Sequence, residues 1–301
     1  ARKTIRRKGD FFENILKEAI QDSYKRLMGP SIENEILSDL FAKAQDASLS
    51  LFSKNLRQLL LASPLKDKQI LGFDPGYKNG CKLALINKEG TVLTSSIIFP
   101  TIGKEKEAEA KLKEIYDKYG FDYIALGNGT ASRESEKFLN SFLEKNNFKN
   151  VNITIVNESG ASVYSASPIA IKEFPNMDIE ERSSVCLARR LLDPMAELVK
   201  IPPEAIGVGQ YQHDLDENKL KQTLEGTTID AVNEVGVYLN TASASLLKYV
   251  SGLNEKIANS IVAYKEENGP FIERKDLLKV KGFGEKTFIS AAGFLRINND
   301  N

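Results

Sequence analysis

The chain has 301 residues, 42% of them apolar, with 41 basic and 41 acidic side chains and a formal net charge of zero. That length suffices for two or three cores, and the balanced charge excludes a histone-like polyelectrolyte, leaving local patches to attract phosphates. Two cysteines, Cys81 and Cys186, at a spacing that suits neither a zinc site nor a disulfide framework, and no apolar run near the ~20 residues of a bilayer span, exclude a secreted scaffold and a membrane-spanning chain and point to a reducing cytoplasm.

The basic start, ARKTIRRKGD at 1–10, lacks the apolar stretch of a signal peptide. Because the chain opens on Ala1 and closes on the polar run NNDN at 298–301, it is expected to be a piece of a longer protein. From 10 to 63, apolar residues recur at helical spacing (Phe11, Ile15, Leu16, Ala19; Ile36, Leu37, Leu40, Phe41; Leu56, Leu59, Leu60), with Asp10 and Glu13 as a capping box and Gly29-Pro30-Ser31 ending one helix and capping the next. The period then changes to that of strands at 69–75, 81–87 and 92–100, joined by turns at DPGYKNG (74–80) and KEG (88–90). A solvated helix near 104–118, a strand at 123–128, a helix at 132–146, a strand at 153–157 and a helix from about Ile179 complete the RNase H-like order. Arg189 and Arg190 suit either nucleic acid or interface salt bridges. Further on, helices are expected around Leu220 and Ala231 as a connector.

An RNase H-like nuclease gathers three or four carboxylates from the first strand, a middle strand and the last helix around two metal ions. Asp74, ending the first strand, suits the first acid or a turn before Pro-Gly, and Glu158 suits the second or a helix cap. The last helix offers no clear third acid: Asp178 and Glu181 read as a capping box, Ser183 and Ser184 fill the next turn, and Asp193 before Pro194 reads as the cap of a new helix. Asn128 and Thr130 are neutral. Glycine turns at 74–80 and 127–132 also suit a nucleotide-binding kinase-like fold, but that needs two α/β halves and the chain offers one. His213, the single histidine, lies in GVGQYQHD (207–214) without a nucleophile partner nearby and reads as structural.

The most specific pattern comes last. VSGLNEK at 250–256 and VKGFGEK at 280–286 repeat at the spacing of one helix-hairpin-helix unit, which points backbone N–H groups at an anion such as a nucleic-acid phosphate. Gly252, Leu253, Asn254 and Lys256 in the first hairpin, and Lys281, Gly282, Phe283, Gly284 and Lys286 in the second, are the expected nucleic-acid site. Gly282 and Gly284 are expected to use positive φ, Asn254 standing less comfortably where the second glycine belongs. Phe283 is expected to pack inward. Residues 242–297 hold nine basic against six acidic side chains, and residues 1–66 twelve against eight, so the excess suits weak, salt-sensitive, sequence-independent binding.

GFDPG (72–76), ALGNGTASRE (125–134), VNESGASVYSAS (156–167), ARRLLDPMAELVK (188–200), GVGQYQHD (207–214) and GFGEKTF (282–288) together resemble the bacterial Tex family of transcription accessory proteins. The resemblance implies a YqgF-type RNase H-like domain followed by helix-hairpin-helix repeats, with a helix-turn-helix-like region and a C-terminal RNA-binding OB-fold elsewhere in full-length members. It also implies a role around RNA polymerase, nascent RNA or DNA. Relative to Holliday-junction resolvases of RuvC type, Asp74 is retained, Glu158 plausibly so, and the acid near Ser183 is lacking. The expected architecture is α/β plus all-α: a helical segment at 1–66, a YqgF-type RNase H-like mixed sheet at 67–200, a helical connector at 201–240 and tandem helix-hairpin-helix units at 241–301. The expected function is a nucleic-acid-binding scaffold without cofactor. The alternative is a nuclease on structured nucleic acid, using Mg²⁺ or Mn²⁺ at Asp74 and Glu158.

Overall fold

A computed structural model describes residues 13–100 and 103–297, and the chain divides into two units, the first ending at Leu51 and the second beginning at Phe52. In the first, α1 (Glu13–Ser23) runs into a π-helical turn, Tyr24–Met28, and then into α2 (Gly29–Leu60), which continues beyond the division. The helix break expected at Gly29-Pro30 does not occur. In a regular helix a proline ring collides with the carbonyl four residues back; here the preceding turn is wider, the Gly29 N–H reaching five residues back to the Tyr24 carbonyl, and the proline is accommodated. Asp10, the expected cap, lies outside the described residues. The apolar repeat that marks this region as helical leaves Leu27, Ile36, Leu37, Leu40 and Phe41 exposed.

The second unit is built on a five-stranded sheet, β1 (Ile70–Asp74), β2 (Cys81–Ile86), β3 (Val92–Ile98), β4 (Tyr123–Gly127) and β5 (Asn152–Val156), in the order β3-β2-β1-β4-β5. The first three strands form an antiparallel meander, and β1, β4 and β5 run parallel. Successive side chains on a strand face opposite ways, so β1 sends Leu71 and Phe73 into one core and Ile70 into another. The first core is closed by α3 (Glu105–Tyr119) and α4 (Ser132–Lys145) through Leu112, Ile115, Leu139 and Phe142. On the other face lies α7 (Ile179–Leu192), contributing Val185 and Ala188.

Gly72 lets α7 lie close to the sheet: a Cβ there would stand 1.9 Å from the Ser184 carbonyl oxygen and 3.1 Å from the Ala188 Cβ. Short helices α5 (Ala161–Ser165) and α6 (Pro168–Glu173), which the sequence did not announce, precede α7, and α8 (Pro194–Leu198) follows it. Asp178 and Glu181 form the expected capping box, and the Asp193 carboxylate accepts from the Ala196 N–H to cap α8. The connector holds one α-helix, α9 (Glu217–Val235), where helices were expected around both Leu220 and Ala231: Gly226 lies mid-helix with open space around it and does not interrupt the run between the Asp216 cap and Gly236.

The C-terminal part comprises β6 (Val237–Tyr238), α10 (Ala244–Leu247), α11 (Glu255–Asn268), α12 (Glu285–Ala291) and β7 (Leu295–Arg296), with β6 and β7 paired in parallel. Asn240 clamps the middle, its side chain donating to the Phe271 carbonyl at 2.9 Å and accepting from the Phe271 N–H at 2.8 Å. Val250 and Val280, equivalent in the two repeats, are both buried.

A methyl group at position 72 has no room without moving α7. Gly72→Ala is expected to lower unfolding stability by about 1–3 kcal/mol, the usual cost of overpacking; an unchanged urea midpoint would show that α7 is free to retreat.

Candidate functional site

Two places converge polar groups. The first is the carboxyl end of the parallel strands, where ligands commonly bind in open α/β sheets. Asp74 ends β1 on the α7 side, and the hydroxyl of Ser183 on α7 donates to its Oδ2. Glu158 follows β5 and is seated in a cradle of glycines: a Cβ on Gly129 would stand 1.8 Å from Glu158 Oε1, and one on Gly127 would stand 2.8 Å from Oε2. Asn128 fixes the loop by accepting from the Glu158 N–H at 3.0 Å. The two expected acids lie near enough for the Asp74 charge to act on Glu158.

Three further groups stand there, of which Lys82 and Glu180 were not apparent beforehand. Lys82 pairs with Asp74 in the β1–β2 register and is 9% exposed; its ammonium lies 3.1 Å from Glu180 Oε2. Glu180, in the first turn of α7 and passed over in the sequence, bears electrostatically on Asp74. It is nonetheless engaged, by Lys82 and by the Asn79 amide at 3.4 Å. Arg190 is 6% exposed, donates to the Asn157 carbonyl and stabilises the ionised form of Glu158. Arg189 bonds Glu173 at 2.8 Å and the Gly90 carbonyl at 2.9 Å. Both arginines thus serve intramolecular contacts.

Burial raises the Asp74 pKa, opposed by the Ser183 hydrogen bond and Lys82 and assisted by Glu180. Burial also raises that of Glu158, with the Asp74 charge adding to it and the Gly129 N–H and Arg190 opposing. Among the described residues no group of three or more His, Cys, Asp or Glu side chains is arranged to hold a metal ion.

The second place is the pair of hairpins. In each, a four-residue turn is closed by a backbone bond, Leu253 N–H to the Val250 carbonyl at 2.9 Å and Phe283 N–H to the Val280 carbonyl at 3.0 Å. Gly252 and Gly282 both sit at φ +84°, the left-handed value that the third residue of a type II turn needs. The second glycine of the motif is a different matter. Gly284 has φ −98° and Asn254 φ −134°, both extended N-cap conformations, so Asn254 is not a strained glycine replacement. Its side chain accepts from the Ile257 N–H at 2.9 Å and caps α11.

The hairpins differ in their surroundings. A Cβ on Gly252 would stand 2.6 Å from the Ser290 Cβ of α12, whereas around Gly282 nothing lies within 4 Å. Asn233 of α9 holds the first turn, accepting from the Ser251 N–H at 2.9 Å and donating to the Tyr249 carbonyl at 3.1 Å. Lys256, Lys281 and Lys286 are exposed, Leu253 is half-buried, and Phe283 is buried in the core as expected.

The structure thus joins an RNase H-like sheet with an acid pair near its carboxyl edge to tandem glycine hairpins. Residues 68–192 match the model of the Tex protein YqgF-like domain, and residues 232–296 that of the helix-hairpin-helix motif. The chain is 45% identical over 283 residues to the transcriptional accessory protein Tex of Neisseria gonorrhoeae, covering 94% of this chain and 37% of that protein. It is 48% identical over 295 residues to the protein YdcI of Bacillus subtilis strain 168, covering 97% of this chain and 41% of the relative. Against the human S1 RNA-binding domain-containing protein 1 it is 44% identical over 288 residues, covering 95% and 29%. Over the segment it spans, the chain belongs to the Tex family, and that segment is well under half the length of these relatives. Among the described residues no helix is long and apolar enough to cross a membrane.

The raised Asp74 pKa fixes the sign of a pH effect. The folded state binds this proton more tightly than the unfolded chain, so stability falls as pH rises from the ordinary value of 3.8 through the raised one, and the loss persists at neutral pH. Asp74→Asn is expected to raise the urea midpoint at pH 7, with the gain shrinking as pH falls through the raised value toward 3.8. A midpoint lowered at pH 7 would mean that the ionised carboxylate supports the fold.

Proposed function

We propose that this segment is a cytoplasmic, transcription-associated scaffold that holds nucleic acid by its phosphate backbone, and that its RNase H-like domain does not cut. The observation that carries the second half is the state of the cleft. Two-metal cleavage needs several carboxylates free to concentrate divalent cations. Here Ser183 offers Asp74 a hydroxyl, and the Lys82 ammonium pairs with Glu180. The internal cation answers charge that a metal would otherwise meet. The residues present do not fit a metal pair, and the reading requires no resident cofactor.

The first half rests on the hairpins. Turn amides and the exposed Lys256, Lys281 and Lys286 can meet phosphate oxygens, contacts that fix position on a strand without reading bases. Gly282 stands in open space, which makes the second hairpin the more accessible one. The names of the gonococcal and human relatives, a transcriptional accessory protein and an S1 RNA-binding domain protein, agree with RNA or DNA near the transcription machinery as the partner. A contact with RNA polymerase belongs to the same proposal.

The test titrates labelled single-stranded RNA, single-stranded DNA, duplex and four-way junction with this chain in Mg²⁺ or Mn²⁺. Salt-sensitive binding without cleavage is the expected result. Lys281→Ala with Lys286→Ala should weaken all substrates alike and flatten the log–log salt slope by about 1.4 to 1.8, as for two lost phosphate contacts. Cleavage that disappears in Asp74→Asn would establish a nuclease instead, with Glu180 as the third acid. Affinity indifferent to both lysines at every salt concentration would remove the hairpins from the interface.

A further inference from the structure

Asparagine followed by glycine is a chemically labile pair, because the glycine nitrogen can close on the asparagine side-chain carbonyl carbon and no Cβ obstructs its approach. The pair occurs three times in this chain, at 79–80, 128–129 and 268–269. All three asparagines are exposed, so access to solvent does not separate them. Hydrogen bonding does.

At Asn268 the attacking nitrogen is taken, since the Gly269 N–H donates to the Lys265 carbonyl at 2.9 Å and closes the end of α11. At Asn128 both reacting groups are taken: its Oδ1 accepts from the Glu158 N–H at 3.0 Å, and the Gly129 N–H bonds the Glu158 carboxylate. The first pair is different. Among the described residues no hydrogen bond engages the Gly80 N–H or the Asn79 carbonyl oxygen, and only the amide nitrogen that would leave is held, Nδ2 lying 3.4 Å from Glu180 Oε1. The fold also demands the glycine. Gly80 sits at φ +73°, and a Cβ there would stand 2.8 Å from the Ile97 side chain and from the Ile98 carbonyl oxygen.

We propose that Asn79 is a site of self-modification by deamidation. The Gly80 nitrogen bonds to Asn79 Cγ and gives up its proton, the Cγ–Nδ2 bond breaks, and the departing nitrogen takes up a proton and leaves as ammonia. Water then opens the resulting succinimide at one carbonyl or the other, giving isoaspartate or aspartate. Water is the one co-reactant. The product replaces the donor that faces Glu180 with a second carboxylate, placing a new negative charge against the Lys82–Glu180 pair. The isoaspartate form also lengthens the main chain by one methylene in the turn between β1 and β2. None of this depends on the hairpins' role toward nucleic acid.

The test incubates the whole folded chain in mildly alkaline buffer made with ¹⁸O-labelled water and follows amide-to-acid conversion at each asparagine by peptide mapping and mass spectrometry. The same chain in guanidinium chloride is the reference. In the folded chain Asn79 should convert at least about two- to tenfold faster than Asn128 or Asn268, whose bonded N–H groups must first be released. In the unfolded chain the three rates should draw together. Asn79→Gln, with the fold verified by thermal unfolding, should abolish the fast conversion and leave the two slow ones unchanged. A folded-state rate at Asn79 no greater than at the other two would overturn the proposal, as would a difference among the three that persists unchanged in guanidinium chloride.

Discussion

The approach of α7 to the sheet at Gly72 is the constraint on which the rest of the α/β part depends. A glycine in the middle of a strand normally costs stability, since it contributes no side chain to the core. Here its missing side chain is what admits the Ser184 carbonyl, and with it a helix whose residues from Arg182 to Ala188 are all buried. Once α7 lies at that depth, its first turn stands over the end of β1 and its last turn beside the loop after β5. Ser183 therefore reaches Asp74, and Arg190 reaches the Asn157 carbonyl.

Charge balance in the cleft follows from that placement. Two half-buried carboxylates, Asp74 and Glu158, hold their protons more strongly than exposed ones because burial disfavours the ionised form. The fold answers with internal groups: a hydroxyl from α7, an ammonium from β2, a guanidinium from α7 and a loop N–H from Gly129. This is in keeping with the proposal that the site does not cut. At Glu173 the balance goes the other way: burial would raise its pKa, but Lys200, Tyr164 and Arg189, all within 3.1 Å, lower it.

Much of the fold was legible because the hydrophobic period changes from helical to alternating near Gln69, and because Asp178, Asp193 and Pro194 carry unambiguous capping chemistry. The positions of the two acids were legible too, since Asp74 ends a strand and Glu158 closely follows one. Lys82 was not. Its closeness to Asp74 arises from antiparallel register across a turn, and a lysine within an apolar strand carries no local mark of which carboxylate it will face. Glu180 was passed over because a first-turn acid already has an ordinary role at a helix N-terminus. The Pro30 misreading has the same origin: proline signals a break, yet whether the preceding turn can widen depends on backbone geometry that the residue types do not reveal. At Asn254 the repeat suggested a degraded glycine, whereas the position requires only an extended N-cap, for which asparagine is well suited.

Contact between Gly252 and Ser290 has a mechanical consequence. The first turn bears directly on the helix that follows the second, and Asn233 ties that turn back to α9, so neither hairpin can shift without carrying the other. Two rigidly coupled turns hold a fixed interval, and a flexible chain must conform to it while a stiff one either matches it or does not. On the proposed role toward nucleic acid, the tandem would act as a gauge of backbone pitch, sensitive to the form of a strand and indifferent to its letters.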